Sequence, residues 1–320
     1  MNISVLGCGR WGTFLAWYAN RVHHTVTLWG RPGSKNLMTL TAEHKNEYLE
    51  LPESVRLTDD LEEAVRSAEI ILISISAQQL RSFLKTVSKL PGLKDKTFVL
   101  CMKGLEADTG KRLTQVFKEE MGAAAHVGVW LGPGHVQDFT RNIPNCMVVG
   151  SDEIGVTKKV VEAFNSDLIR FYYGQDLIGN EIGAATKNVM GIAAGMLDGA
   201  GYSSLKGALM ARGTRELSRI VRAMGGNDIT IYGLSHLGDY EATLFSPHSN
   251  NRRFGEDYVK GIPFHKLAEG VATVEALHHL SQEYEVELPI CHALYEILFE
   301  HKETSKVLID LFLRPVKFEF

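Results

Sequence analysis

The chain has 320 residues, of which 45% are hydrophobic and 22% charged, with a formal net charge of −4. That length supplies a large core and about two domains. The charge balance gives no global reason to expect a nucleic acid or an anionic membrane surface as partner. No apolar run approaches the ~20 residues of a membrane span, so no stable membrane insertion is expected. The opening "MNISVLG" has no basic stretch ahead of an apolar one, which argues against a signal peptide; the expected location is the cytoplasm. The four cysteines, Cys8, Cys101, Cys146 and Cys291, are far apart in sequence. Neither a zinc knuckle nor a CxxC site can be drawn from them, no metal is expected, and three of them lie in or beside apolar strand-like runs as simple buried thiols.

The first half alternates β-like runs with helical spacing. The candidate strands are residues 3–7, 25–30, 69–76, 97–103, 126–132, 146–150 and 168–174. Helical stretches such as "LRSFLKTVSKL" and "VTKKVVEAF" lie between them. Apolar strands separated by helices predict an α/β fold, a doubly wound parallel sheet covered on both faces. After about Asp176 the β pattern stops. Four segments, 181–200, 205–225, 266–285 and 289–313, read as helices, so the expected domains are a Rossmann dinucleotide-binding domain over 1–178 and an all-α domain over 179–320. No low-complexity linker separates them, and a tight cleft is expected at the boundary.

The run "VLGCGRWGTFLAW" carries G-x-G-x-x-G at Gly7, Gly9 and Gly12, directly after one strand and opening a helix. In that context Gly7 makes the tight turn, Gly9 lets backbone approach a pyrophosphate, and Gly12 lets helix and strand pack closely. The helix N-terminus adds amide donors for the phosphates. The second strand ends "LWGRPGSK", without the Asp or Glu that would bind the ribose of NAD. Arg31 stands there instead, with Lys35 nearby, and an arginine can pair with a 2′-phosphate. NADP is therefore favoured over NAD.

The run "GNEIGAATKNVMGIAAGMLDG" breaks helix rules, because a glycine inside a helix costs roughly 1 kcal/mol relative to alanine. Gly183, Gly191, Gly195 and Gly199 nevertheless recur every four residues, and Lys187 fills the remaining place in the series. The stripe is expected to serve close packing of the two domains, with Lys187 facing the cleft.

In order along the chain stand "GCGRWGT", Lys103–Gly104, "LGPG" at 131–134, "GAATKNVMGIAAGMLDG", "MARGTRE", "LGDYEAT", "SNNRRFG" and "EGVATVEAL" followed by "ELPI". This series resembles the NAD(P)-dependent sn-glycerol-3-phosphate dehydrogenases over nearly the whole length. The resemblance implies an N-terminal Rossmann domain, a C-terminal helical domain, a small phosphorylated three-carbon substrate, NAD or NADP as cofactor, and a homodimer. It also implies roles: Lys187 as the catalytic lysine, Asp239 as its carboxylate partner, and Lys103 near substrate and nicotinamide. Asn188, Thr243, Gly132, Gly134, Ser249, Asn250 and Asn251 would line the substrate site. Arg10, Trp11, Val136, Asn250, Leu267 and Glu269 would join the glycines, Arg31 and Lys103 at the cofactor.

The chemistry suits those roles. Interconverting a ketone and a secondary alcohol needs a hydride at carbon and a proton at oxygen. A lysine does the proton work when burial or nearby positive charge adjusts its affinity for the proton.

The chain departs from the family at Asn250, where the family's "SRNRRFG" carries a phosphate-binding arginine. "LGPGHV" replaces "SGPSFA", which puts Gly134 for a serine and His135 for a phenylalanine, and Arg10 replaces a small residue. Arg252, Arg253 or His135 is expected to compensate for the lost arginine. Three readings follow: reduction of dihydroxyacetone phosphate to sn-glycerol 3-phosphate for phospholipid synthesis, a sister dehydrogenase for another small polyol or hydroxy acid, or a catalytically silent NAD(P)-binding sensor.

Overall fold

A computed structural model describes residues 1–316 and 318, and the chain divides into two compact units. Unit 1 comprises Met1–Lys103 and Arg112–Glu181; unit 2 comprises Gly104–Lys111 and Ile182–Phe320.

Unit 1 is a sheet wrapped by helices. In chain order its elements are β1 (Asn2–Leu6), α1 (Arg10–Arg21), β2 (Thr25–Trp29), α2 (Lys35–Glu43), β3 (Arg56–Thr58), α3 (Leu61–Arg66), β4 (Ile70–Ile73) and α4 (Leu80–Val87). There follow β5 (Thr97–Leu100), α5 (Leu113–Met121), β6 (His126–Leu131), α6 (Val136–Thr140), β7 (Asn145–Gly150), α7 (Ile154–Phe164) and β8 (Ile169–Gly174). The spatial order is β3-β2-β1-β4-β5-β6-β7-β8. β4 and β5 bury every residue, as strands covered on both faces must.

Two features of the sheet differ from the sequence expectation. β3 is an eighth strand that pattern reading passes over: Arg56-Leu57-Thr58 is too short and polar to show a period, and it pairs only along β2 at the sheet's edge. The sheet is also mixed, because β7 runs antiparallel to β6 while β8 runs parallel to β7. Only the short α6 lies between β6 and β7, and a parallel return needs a longer crossover.

In unit 2, α8 (Leu177–Gly199) begins just before the division of the chain and is followed by α9 (Lys206–Ala223), α10 (Asn250–Val259), α11 (Glu269–Glu283), α12 (Pro289–Leu298) and α13 (Thr304–Asp310). The single helix expected over 289–313 is thus two. Phe299 ends α12, His301 takes a left-handed backbone (φ 55°), and Glu303 starts α13. The N-terminus of α12 is capped at long range: the buried Glu216 carboxylate accepts from the Ile290 and Cys291 amides at 2.8 and 3.0 Å. α10 escapes the hydrophobic pattern, since "NNRRFGEDYV" buries only Gly255, and the sequence signal for it is the Ser249 N-cap.

The glycine stripe on α8 packs inside unit 2, and this corrects the expectation that it serves contact between domains. A methyl group on Gly195 would lie 1.8 Å from the Arg252 carbonyl oxygen, and one on Gly255 would lie 2.1 Å from that of Ile192. α8 and α10 therefore cross backbone to backbone. Gly199 meets Glu256 and Val259 of α10, Gly191 meets Thr243 and Asn251, and Gly183 meets Ser235 and His236. The helix accepts the cost of its glycines because no side chain fits these crossings. Cys8, Cys101 and Cys291 are buried and Cys146 half-buried, all as free thiols. Among the described residues no helix is long and apolar enough to cross a membrane.

Candidate active site

In unit 1 the chemistry-bearing loops follow the carboxyl ends of parallel strands. The chain leaves β1 for β2 and β3 on one side, then returns to β4 on the other. A crevice at such a reversal is where doubly wound sheets take nucleotides. Gly7 has φ +115°, and a methyl on it would lie 2.2 Å from the Ser74 carbonyl oxygen. One on Gly12 would lie 1.8 Å from the Gly7 oxygen, whereas one on Gly9 would meet nothing within 4 Å. The turn is therefore closed at its first and third glycines and open at the second. Gly9 caps α1 without a side chain, and no acidic residue occupies the first turn. The first-turn amides face no local carboxylate, and this loop fits a dinucleotide's pyrophosphate.

Arg10 donates to Gln137 Oε1 at 2.7 Å, and its guanidinium lies 4.9 Å from the centre of the Tyr48 ring. Neither partner is signalled in the sequence, because both are remote along the chain. Trp11 packs on Phe14 beneath the loop, and Val136 is buried at the start of α6. Gly30, after β2, rests against Cys8 Sγ and Leu37, and the next residue, Arg31, is exposed, as is Lys35. Lys103 follows β5 and donates from Nζ to the Gly132 carbonyl at 2.8 Å. Gly134 lies against the Phe139 ring, 2.3 Å from where its Cβ would stand, which leaves no room for the family's serine.

In unit 2 the predicted residues gather around the middle of α8. Lys187 Nζ lies 2.7 Å from Asp239 Oδ2 and donates to Thr243 Oγ1, also at 2.7 Å. Lys187 is 7% exposed, and Asp239 and Thr243 are 1% exposed. Thr243 sits in a wide π-type turn, Glu241–Phe245, and passes its own hydrogen to the Asp239 carbonyl at 2.7 Å. Such turns cluster at functional positions. Either charge alone at this depth would be strongly unfavourable, so the pair stands or falls together.

Beside this pair, Asn251 Oδ1 accepts from the Gly270 amide at 2.9 Å in the first turn of α11, and Asn250 Nδ2 donates to the Leu267 carbonyl at 3.2 Å. Gly270 in turn abuts the Asn188 carbonyl, with Glu269 adjacent at the first position of α11. Ser249 accepts from the Arg252 amide as the α10 cap. Lys187, Asn188, Asp239, Thr243, Ser249, Asn250, Asn251, Leu267 and Glu269 thus lie on touching segments.

Residues 2–156 match the sequence family described as NAD-dependent glycerol-3-phosphate dehydrogenase N-terminus, and residues 176–309 match its C-terminus. The glycerol-3-phosphate dehydrogenase (NAD(P)+) of Chlorobium phaeobacteroides (strain BS1) is 39% identical over 334 residues, covering 100% of this chain and 99% of that protein. This chain belongs to the NAD-dependent glycerol-3-phosphate dehydrogenase family. The corresponding protein of Chlorobium limicola (strain DSM 245 / NBRC 103803 / 6330) is 36% identical, with the same coverage of both chains. A crystal structure of glycerol-3-phosphate dehydrogenase from Coxiella burnetii superposes with a TM-score of 0.91 at 28% identity, over 98% of this chain and 99% of that one.

Within a family member, the surroundings of Asn250 stand out. Arg252, one of the three residues expected to compensate for the missing arginine, has its Nε bound to Asp198 Oδ2 at 2.7 Å and its Nη2 3.3 Å from Glu256. Asp198 also holds Ser203 and Lys206. Arg252 therefore ties α8 to α10, and its charge is already neutralised there. Arg253 is exposed.

His236, which the sequence reading passes over, is fully buried between α8 and the Asp239 segment. Burial lowers its pKa to about 4, opposed by the bond to the Gly183 carbonyl, with Lys187 lowering and Asp239 raising it further. The unfolded chain therefore binds a proton near pH 6.5 that the folded chain refuses until about pH 4. This contribution to stability is fully present above pH 6.5 and is lost as pH falls toward 4. From pH 7 to pH 5, unfolding free energy should drop by about 2 kcal/mol on this account. Denaturant titrations of wild type and His236→Asn test it: the variant should lose less stability over that interval, and equal losses would remove His236 as the cause.

Proposed function

We propose that this chain interconverts dihydroxyacetone phosphate and sn-glycerol 3-phosphate with NADPH or NADH, supplying the phosphorylated alcohol for phospholipid synthesis in the cytoplasm. The observation that carries the reading is the buried Lys187–Asp239 pair at 2.7 Å, with Thr243 as second acceptor. When bound, the reduced nicotinamide supplies a hydride to the substrate's carbonyl carbon. Lys187 gives a proton from Nζ to the carbonyl oxygen as negative charge develops there, and takes it back in the reverse direction. Asp239 and Thr243 aim the ammonium, so that little reorganisation is left for the reaction itself. Gly7, Gly9, Gly12, Arg10 and Trp11 would hold the dinucleotide, with Val136, Leu267 and Glu269 as further contacts. Lys103, Gly132, Gly134, Asn188, Ser249, Asn250 and Asn251 would hold the substrate. Following NADH and NADPH oxidation against dihydroxyacetone phosphate and a panel of related ketones tests the reading; turnover of another ketone only would overturn it.

The exposed Arg31 and Lys35 after β2 support a preference for the 2′-phosphate. Arg31→Ala should raise KM for NADPH about 10- to 150-fold, the scale of one lost charged hydrogen bond, and leave KM for NADH nearly unchanged. Equal effects on both cofactors would place Arg31 away from the phosphate.

Asn250 favours a second reading, a sister dehydrogenase with the same chemistry on another small polyol or hydroxy acid. With Arg252 bound to Asp198, the substrate phosphate would have to be met by Lys103, backbone amides and Asn251. Asn250→Arg is therefore expected to lower KM for dihydroxyacetone phosphate by about 10-fold or more. Tight binding by the wild type with no gain in the variant would refute this account of the pocket. Inactivity of both proteins on this substrate would favour the sister enzyme.

A further inference from the structure

His236 lies three residues before Asp239 and is joined to α8 by a hydrogen bond between Nδ1 and the Gly183 carbonyl at 2.8 Å. Its other nitrogen, Nε2, lies 2.7 Å from the Tyr240 hydroxyl. A carbonyl can only accept, so Nδ1 carries the hydrogen and the Tyr240 hydroxyl donates to Nε2. Thr186 lies 3.3 Å from Nδ1 but gives its own hydrogen to the Ile182 carbonyl at 2.7 Å. One tautomer is therefore fixed from both ends. His236 is 0% and Tyr240 1% exposed, so water does not compete for these bonds. In a regular α-helix the Gly183 carbonyl is also the acceptor for the Lys187 amide, one turn later. A methyl on Gly183 would lie 3.1 Å from His236 Cβ and 3.1 Å from Ser235 Oγ, so the segment bearing Asp239 is seated directly on the helix at this point.

We infer that His236, held by Tyr240, is a positioning residue: its Nδ1–H fastens the segment carrying Asp239 to the α8 carbonyl one turn before Lys187, and so sets the distance between carboxylate and ammonium. The inference rests on the reading of Lys187 and Asp239 as the proton-transfer pair. Burial keeps the imidazole neutral through the working pH range, so it acts by geometry and not by charge. The network ties together three segments that the chain brings from different places: α8, the turn before Asp239, and α9 through Thr214, 3.4 Å from the Tyr240 hydroxyl.

The test uses the intact protein and the variants His236→Ala, His236→Asn and Tyr240→Phe. His236→Ala should lower kcat for dihydroxyacetone phosphate about 30-fold, the scale of a sub-ångström misplacement of a reacting group, with KM for ketone and cofactor little changed. His236→Asn, whose side-chain amide takes the place of Nδ1–H, should recover most of that loss. Wild-type kcat in His236→Ala overturns the inference. So does a loss that follows melting temperature alone across the three variants, without rescue by asparagine. Nitrogen NMR of the imidazole and lysine side chains gives a readout independent of turnover. The wild type should show the neutral Nδ1–H tautomer from pH 5 to pH 8, and the Lys187 ammonium signal should move in His236→Ala and return in His236→Asn. An Nε2–H tautomer, or a Lys187 signal indifferent to both variants, overturns the inference. If the wild type does not reduce dihydroxyacetone phosphate, the functional reading fails, and the NMR outcome still decides the role of His236.

Discussion

Lys187→Met is expected to lower kcat for ketone reduction by about 10²–10⁴-fold, the usual contribution of a general acid, while the dissociation constant for NADPH stays within a few-fold of wild type. Methionine keeps much of the length of lysine but has no proton to give. Lys187 is nearly fully buried on α8 and is held by Asp239 and Thr243 at 2.7 Å each. The cofactor loop belongs to unit 1 and the lysine to unit 2. Steady-state kinetics beside a fluorescence titration with NADPH measure both quantities. A variant that keeps more than about a tenth of wild-type activity would remove Lys187 from proton transfer.

Asp239→Asn should cut kcat about 100-fold and also destabilise the protein by about 3 kcal/mol, at the lower end of the cost of breaking a buried ion pair from one side. Asparagine retains an oxygen that can accept from Lys187 Nζ, but the ammonium then lies buried without its countercharge. The diagnostic comparison is the double variant. Lys187→Met leaves an isolated carboxylate, Asp239→Asn leaves an isolated ammonium, and the combination leaves no buried charge at all. The double variant should therefore melt at a higher temperature than either single variant, while its kcat matches that of Lys187→Met. Strictly additive melting shifts would mean that the two groups do not share one electrostatic interaction. Unchanged activity per folded molecule in Asp239→Asn would make the carboxylate purely structural.

Much of the fold was legible because local patterns and global structure agree. The strand-turn-helix around Gly7, Gly9 and Gly12 can be read in thirteen residues: Gly7 takes φ +115°, a methyl on Gly12 would lie 1.8 Å from the Gly7 oxygen and Gly9 faces open space, while the 2.2 Å approach at Gly7 is to Ser74, remote in sequence. β3 was not legible, because three residues carry no period and their pairing is supplied by β2. The reversal at β7 was not legible either: hydrophobicity marks a strand but not its direction. The break between α12 and α13 was legible in part, because residues 300–306 carry no apolar side chain, whereas the left-handed backbone of His301 within it was not.

By itself, the sequence determined the dinucleotide turn, the absence of an acid after β2, the break from α/β to all-α near residue 176, and a family series that includes Lys187 and Asp239. These are encoded in neighbours along the chain, where periodicity and steric need act within a few residues. Only tertiary structure decided which partners those residues meet. Gly191, Gly195 and Gly199 of α8 turned out to accommodate α10, Arg252 proved committed to Asp198, Arg10 to Gln137 and Tyr48, and His236 to a carbonyl 53 residues away. Each of these is a contact between segments remote in sequence. A hydrogen bond or close approach of that kind exists only once the chain has folded, because its geometry is set by how whole elements pack and not by any local pattern.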